Sequence, residues 1–201
     1  YLLDLMPFPG FAPWVLRGAR GGRQEKHLDR TPNIIHFVGR WLPMKIETER
    51  KFLVSGEEWR PLATHSSEIT QGYFPTQGGS SVRIRVIGDR ANINIKGNPS
   101  GCSRVEFEYE IPVEDAWMML EKFCGGTTVR KTRFFVPAGD TGLVWEIDEY
   151  HGPFEGHATA EVELPEEDHP FPRPEWLGKE VTDDHRFSNL ALALAQSWPG
   201  A

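Results

Sequence analysis

An α+β fold, antiparallel strands with two covering helices, is what three features of the sequence predict. From Met44 onward, side chains alternate in character with the two-residue period of a strand. Turn signals break these runs into short pieces, as in a meander of hairpins. Helical spacing appears only around residues 113–125 and 182–198.

The elements follow in chain order. Residues 1–43 are rich in Pro, Gly and Arg and hold no sustained period, although "NIIHFVGRWLP" suits a short strand or a docked arm. This segment reads as an N-terminal extension, non-native or poorly ordered, and the domain proper as residues 44–201. It lacks the basic start, apolar stretch and small-residue cleavage site of a signal peptide. "KIETERKFLV" (45–54) puts Lys45, Glu47, Glu49 and Lys51 on one strand face. "SVRIRVIGDRANINIKG" is a hairpin: Val82, Ile84 and Val86 lie opposite Arg83 and Arg85, and the returning strand sets Asn92, Asn94 and Lys96 opposite Ile93 and Ile95. "SRVEFEYEIP" aligns Glu106, Glu108 and Glu110 against Phe107, Tyr109 and Ile111. A helix over 113–125 is expected to bury Val113, Ala116, Trp117, Leu120 and Phe123 and to stop at Gly125. Three more strands pair Lys131 with Arg133, Glu146 with Asp148, and Glu161 with Glu163. The last helix is expected to start at Thr182 as N-cap, with Asp183 and Asp184 in its first turn and Phe187, Leu190, Ala191 and Leu194 as its buried stripe.

An alternating strand normally has one wet face and one dry face. Wet faces usually mix charges so that cross-strand neighbours attract. Here most polar faces carry one sign, and like charges about 7 Å apart along a strand repel. An opposite charge between them would relieve this. Carboxylates suit a hard divalent cation, and Arg and Lys suit phosphate oxygens. If both sets face one cavity, the strands close into a barrel with a charged interior, and a metal-bridged polyphosphate satisfies the whole lining.

The totals agree with a small-molecule site. The 201 residues suit one domain with an extension, with 39 % hydrophobic and 25 % charged residues. A net charge of −7 argues against coating a nucleic-acid duplex. The two cysteines, Cys102 and Cys124, fit neither a metal spacing nor a disulfide framework, which points to a reducing cytoplasm. No apolar run is long enough to span a membrane.

With these residues laid out, the chain resembles the CYTH superfamily of triphosphate tunnel metalloenzymes. The marker is ExExK at Glu47, Glu49 and Lys51, followed in family order by "RIR", Lys96, "EFE", "RKTR", "EID" and "AEVE". "PEWLGKEVTDDHRFSNLALA" is similar to the C-terminal signature of the bacterial branch, Arg186 and Asn189 included. The resemblance implies a closed, eight-stranded antiparallel β-barrel, a tunnel that processes triphosphates with Mg²⁺ or Mn²⁺. It is most like the bacterial inorganic triphosphatases, which hydrolyse tripolyphosphate to pyrophosphate and phosphate. Class IV adenylyl cyclases of the superfamily carry His-Phe closer to ExExK; here His36 and Phe37 stand eleven residues ahead of Glu47. A nucleoside or thiamine triphosphatase, or a class IV adenylyl cyclase-like activity, is the rival enzyme reading, and a silent polyphosphate-binding module the non-enzymatic one.

By the same resemblance, Arg83, Arg85, Lys96, Arg133 and Arg186 grip phosphate oxygens. Glu47, Glu49, Asp148, Glu161 and Glu163 are the metal ligands, with Glu106 and Glu108 in support. Lys51 and Lys131 form a lysine dyad whose mutual repulsion lowers its pKa values and lets one accept a proton from water. The expected partner is a small triphosphate, with no nucleic acid or membrane, and a homodimer is left open. His151, His157 and His169 read as surface or connector residues, and Tyr73 as a strand residue near the tunnel.

Overall fold

Alternation along the strands becomes a closed ring. The computed structural model describes residues 45–76, 79–98 and 100–200, together with the backbone of two short strands, β1 (Ile34–Phe37) and β2 (Arg40–Pro43). β1 and β2 pair with each other as a hairpin; the rest of the 1–43 extension lies outside the described residues. The domain then runs β3 (Ile46–Val54), β4 (His65–Tyr73), β5 (Ser81–Ile87), β6 (Arg90–Lys96), β7 (Ser103–Ile111), α1 (Val113–Phe123), β8 (Thr128–Pro137), β9 (Val144–Tyr150), β10 (Ala158–Glu163), β11 (Leu177–Glu180) and α2 (Asn189–Ala195). Hydrogen bonding links β10-β9-β8-β4-β5-β6-β7-β3, and β10 also pairs with β3, so eight antiparallel strands form a barrel. β11 adds to β3 where the seam ends. The expected α+β barrel is therefore present.

Directly opposed residues in an antiparallel pair share a face. Lys51 opposes Glu161, Glu146 opposes Glu161, Arg133 opposes Asp148, Lys96 opposes Glu106 and Glu47 opposes Arg104. Those pairings put the charged members of the strands on one continuous surface, the inside. The apolar members face outward, and there the core lies. Phe52, Trp145, Ile147, Ala160 and Val162 form one buried cluster on the outer wall, covered by Trp59, Phe171 and Trp176. Trp145 meets Phe52, Phe171 and Trp176 edge-on at centroid separations of 5.7, 5.8 and 5.6 Å. Each such pair adds about 1 kcal/mol to the burial itself. The usual filled barrel is turned inside out.

The hairpin turns at Gly88, where φ is 56°, a left-handed conformation that favours glycine. α1 lies against β4, β5 and β6, and its approach depends on Gly72: a Cβ there would stand 2.7 Å from Leu120. Of its expected stripe, Ala116 and Leu120 are buried, but Trp117 and Phe123 are exposed. A helix on a convex barrel meets it along a narrow line, so only the 116, 120 and 124 row is covered.

The last helix starts later than the pattern suggests. Ser188, not Thr182, caps α2, its Oγ accepting from the Ala191 amide at 3.1 Å. The Thr182 hydroxyl accepts instead from the Lys51 amide at 3.0 Å and donates to Glu180 at 3.0 Å. Asp184 caps a separate 3-10 turn, His185–Phe187. The later start rotates the stripe: Leu192 and Ala193 are buried, and Leu194 is exposed. Through these two residues α2 packs on Tyr73, Val129, Tyr150 and Phe154 at one end of the barrel.

Candidate active site

The inward faces enclose a cavity of about 460 Å³. Its cations include Lys51, Arg83, Arg85, Lys96 and Arg133, and its anions Glu47, Glu49, Glu106, Glu108, Glu161 and Glu163. Lys131 and Asp148 sit just behind this lining, with no exposure to solvent. The barrel thus brings together every expected site residue except Arg186. Arg186 stands on the exposed 3-10 turn and forms a two-pronged pair with Asp184, at 2.9 and 2.7 Å. The turn, absent from the helix reading, leaves it exposed beside the cavity, paired with Asp184, which itself lines that cavity.

Within the cavity, opposite charges are paired strand to strand. Lys51 Nζ donates to Glu161 Oε1 at 2.7 Å, and Arg133 Nη2 to Glu161 Oε2 at 2.9 Å. Arg133 also holds Asp148 with two nitrogens, each at 2.7 Å, and pairs with Glu146. Lys131 binds Asp148 and reaches Asn189 Oδ1 at 3.4 Å. Lys96 spans both oxygens of Glu47, at 2.8 and 2.7 Å, and lies 3.2 Å from Glu106. Glu163 is exposed at the rim, opposite Glu49 in the β10–β3 register. Among the described residues no three His, Cys, Asp or Glu side chains converge into a ready metal cage. The five expected metal ligands are instead spread among cations.

The two lysines are not equivalent. Burial penalises the charge of Lys51, but the touching Glu161 carboxylate more than compensates and its pKa is raised. Burial also opposes the charge on Lys131, and there it prevails. Asp148 is already shared with the Arg133 fork, and Arg133 and Arg85 repel the ammonium, so the Lys131 pKa falls well below that of an ordinary lysine. The expected cause, mutual repulsion of the lysines, is replaced by burial and nearby arginines. Arg85 has no carboxylate partner among the described residues and its buried Nε is unpaired; burial, Arg83 and Arg133 lower its pKa to about 9.

The carboxylates split likewise. Burial raises Glu161, Asp148 and Glu47, yet their cationic neighbours win and all three pKa values are lowered, Glu47 to about 2. Glu49 and Glu163 are raised, by burial first and then by Glu161 and Glu47 at the one and by Glu47 and Glu106 at the other. A folded-state pKa below the unfolded value stabilises fully above the unfolded value and is lost as pH falls. The urea midpoint should therefore hold at neutral pH and drop as pH falls from 4.5, the ordinary glutamate value, towards about 2. A midpoint flat across that window would contradict the ion-paired lining.

Several lining groups escape a reading by charge runs. Arg104 is in phase with Glu106 on β7 but stands alone ahead of an acidic run. Asn94 donates to Glu106 and Glu108 at 2.7 and 2.5 Å, and Gln71 donates to the Tyr73 hydroxyl at 2.9 Å. Tyr73 itself is buried and lines the cavity. Tyr150 lies behind it, its hydroxyl within 3.1 Å of the Thr159 hydroxyl and 3.2 Å from Asn189 Oδ1. His157 stacks on Trp198, and His151 sits outside the barrel against Thr132.

Comparison with known proteins agrees with this geometry. The family model described as CYTH domain matches residues 45–191. An inorganic triphosphatase of Acetivibrio thermocellus is 42 % identical over 146 residues, covering 73 % of this chain and 92 % of that protein. An inorganic triphosphatase of Nitrosomonas europaea is 37 % identical over 152 residues, covering 74 % and 97 %. A crystal structure of an inorganic triphosphatase aligns with a TM-score of 0.55 at 34 % identity, over 74 % of this chain and 94 % of that one. With the motif order, the closed ring and the charged lining in accord, the chain belongs to the CYTH domain family.

Proposed function

We propose that the protein hydrolyses inorganic triphosphate to pyrophosphate and phosphate inside the barrel, with a divalent cation, Mg²⁺ or Mn²⁺. The observation that carries this is Arg85: a buried guanidinium without a carboxylate, beside Arg83, in a cavity that also holds carboxylates. An unpaired buried charge is costly and calls for an anion. Phosphate oxygens fit its fork.

The residues also suit a cation. Glu49 and Glu163, raised by burial and then by neighbouring carboxylates, are hard oxygen donors kept close against repulsion. Glu47, Glu49, Glu161 and Glu163 would hold it, with Asp148 behind them. When bound, the cation would draw charge off the phosphate oxygens and orient the attacking water.

The chain's own residues do the rest. Arg83, Arg85, Lys96 and Arg133 align the phosphates, which is most of what phosphoryl transfer asks of a protein. Lys51, held charged by Glu161, steadies charge in the transition state. Lys131, with its lowered pKa, takes the proton as the water oxygen bonds to the terminal phosphorus and the bridging bond breaks, its electrons leaving with pyrophosphate. Asn189 and Asp148 hold Lys131 in place.

The lining favours the inorganic substrate. Apart from Tyr73 and the His185 imidazole, the described lining residues offer no aromatic ring on which a nucleobase or thiamine could stack. Phosphate release from inorganic triphosphate, ATP and thiamine triphosphate, with Mg²⁺ and with Mn²⁺, tests this. Inorganic triphosphate should show the highest kcat/KM; faster turnover of ATP would overturn the assignment. We also propose that residues 1–43 are dispensable, since the family match begins at residue 45. Their deletion should leave turnover within about tenfold, roughly 1.4 kcal/mol of barrier. A larger loss in a folded variant would make them part of the enzyme.

A further inference from the structure

Arg104 bridges the first two acidic residues of the ExExK motif. Its Nε donates to Glu47 Oε2 at 2.7 Å and its Nη2 to Glu49 Oε1 at 2.6 Å. The bridge follows from register: Arg104 opposes Glu47 across the β3–β7 pair, and Glu49 is two residues on, next on the same face. The guanidinium fork spans that step. A cation that drew on Oε2 of Glu47 and Oε1 of Glu49 would have to use the place the fork occupies. Lys96 does not compete for the second carboxylate, since its contacts are with Glu47 and Glu106.

Burial separates Arg104 from the other cations of the tunnel. Arg133 and Lys131 are 8 % and 0 % exposed at the side chain, whereas Arg104 is 26 % exposed. Removing Arg133 would strand Asp148 and Glu161 in a dry interior. Arg104 stands close enough to water to swing out without that penalty. Its chain is also long enough to stay near the cavity after release.

We propose that Arg104 is a built-in counter-ion that competes with the divalent cation for Glu47 and Glu49 and thereby sets the cation concentration at which the tunnel loads. With no cation bound, its fork holds the two carboxylates together and sets one positive charge between them. Arg104 would give up its place to an ion of twice its charge and would then be free at the cavity, where an incoming phosphate oxygen is its natural new partner. Loading is thus an exchange of partners and leaves no glutamate unpaired.

The inference rests on the reading of Glu47 and Glu49 as cation ligands, and the test separates the two. The full-length chain, without substrate, is titrated with Mn²⁺ while the free ion is followed by electron paramagnetic resonance. Arg104→Gln should bind Mn²⁺ at least about tenfold more tightly than the unaltered chain, and Arg104→Lys should fall between them. A tightening is a gain that general damage to the barrel would not produce. Arg104→Gln should also melt at a lower temperature in the absence of cation and recover when Mn²⁺ is added. Unchanged or weaker Mn²⁺ binding by Arg104→Gln, while Glu49→Gln loses binding, would overturn the competition and keep the cation site. Glu49→Gln binding as well as the unaltered chain would overturn the cation site and the competition with it.

Discussion

Lys131→Met should lower kcat by about 10²- to 10⁴-fold, the usual worth of a positioned general base, and change KM little. The side chain lies behind the cavity lining, so it contributes little to holding ground-state substrate. The folded state should survive, because Asp148 keeps its two bonds from Arg133 and methionine fills the same volume. The pH profile adds a sharper readout. Lys131 must be uncharged to take a proton, so kcat in the unaltered enzyme should rise with pH through its lowered pKa. That limb should vanish in Lys131→Met. A change confined to KM, or a retained limb, would remove Lys131 from proton transfer.

The other large effect is expected from Glu161→Gln, and it falls on stability and turnover together. One carboxylate holds Lys51 through one oxygen and Arg133 through the other, at a buried position. Breaking a buried pair from one side costs about 3–5 kcal/mol, because the remaining charges stay desolvated. Turnover should drop at least about 100-fold, since Lys51 loses its anchor and a proposed cation ligand is lost. Urea denaturation gives the first quantity and phosphate release the second. The variant should also lose part of its acid sensitivity, because Glu161 no longer titrates. A loss of stability under about 1 kcal/mol would mean that Lys51 and Arg133 are hydrated in solution, against the buried pairing.

How far the sequence revealed this site depends on the kind of residue. Charged side chains in alternation announce both their strand and their shared face. Glu47, Glu49, Lys51, Arg83, Arg85, Lys131, Arg133 and Glu161 were therefore legible, and the same-sign runs implied a closed interior. Asn94 and Gln71 carry no charge and leave no trace in such a pattern, although each supports charged or hydroxyl groups within the wall. Arg104 escapes such a pattern because its meaning lies across the sheet, in the β3–β7 register. The C-terminal end misled for another reason. Thr182, Asp183 and Asp184 imitate a helix start, but Thr182 is taken by the Lys51 backbone and Asp184 by a tighter turn. With that turn, Arg186 is exposed and paired with Asp184 at the edge of the cavity.

The seam between β3 and β10 has a consequence for how the chain reaches its fold. Lys51 and Glu161 are 110 positions apart, yet they are direct neighbours across the join. Contacts of such separation demand that a long loop close before anything is gained, which slows folding. Of the eight barrel strands, β3 emerges first during synthesis and its closing partner β10 last. Until then β3 presents an open strand edge, with Phe52 on one face and an unneutralised Lys51 on the other. The ammonium makes that edge unattractive to an apolar strand from another chain, and its own carboxylate arrives only with β10. The lysine that ends in the buried pair with Glu161 thus helps, while still unpaired, to keep the open edge from mispairing.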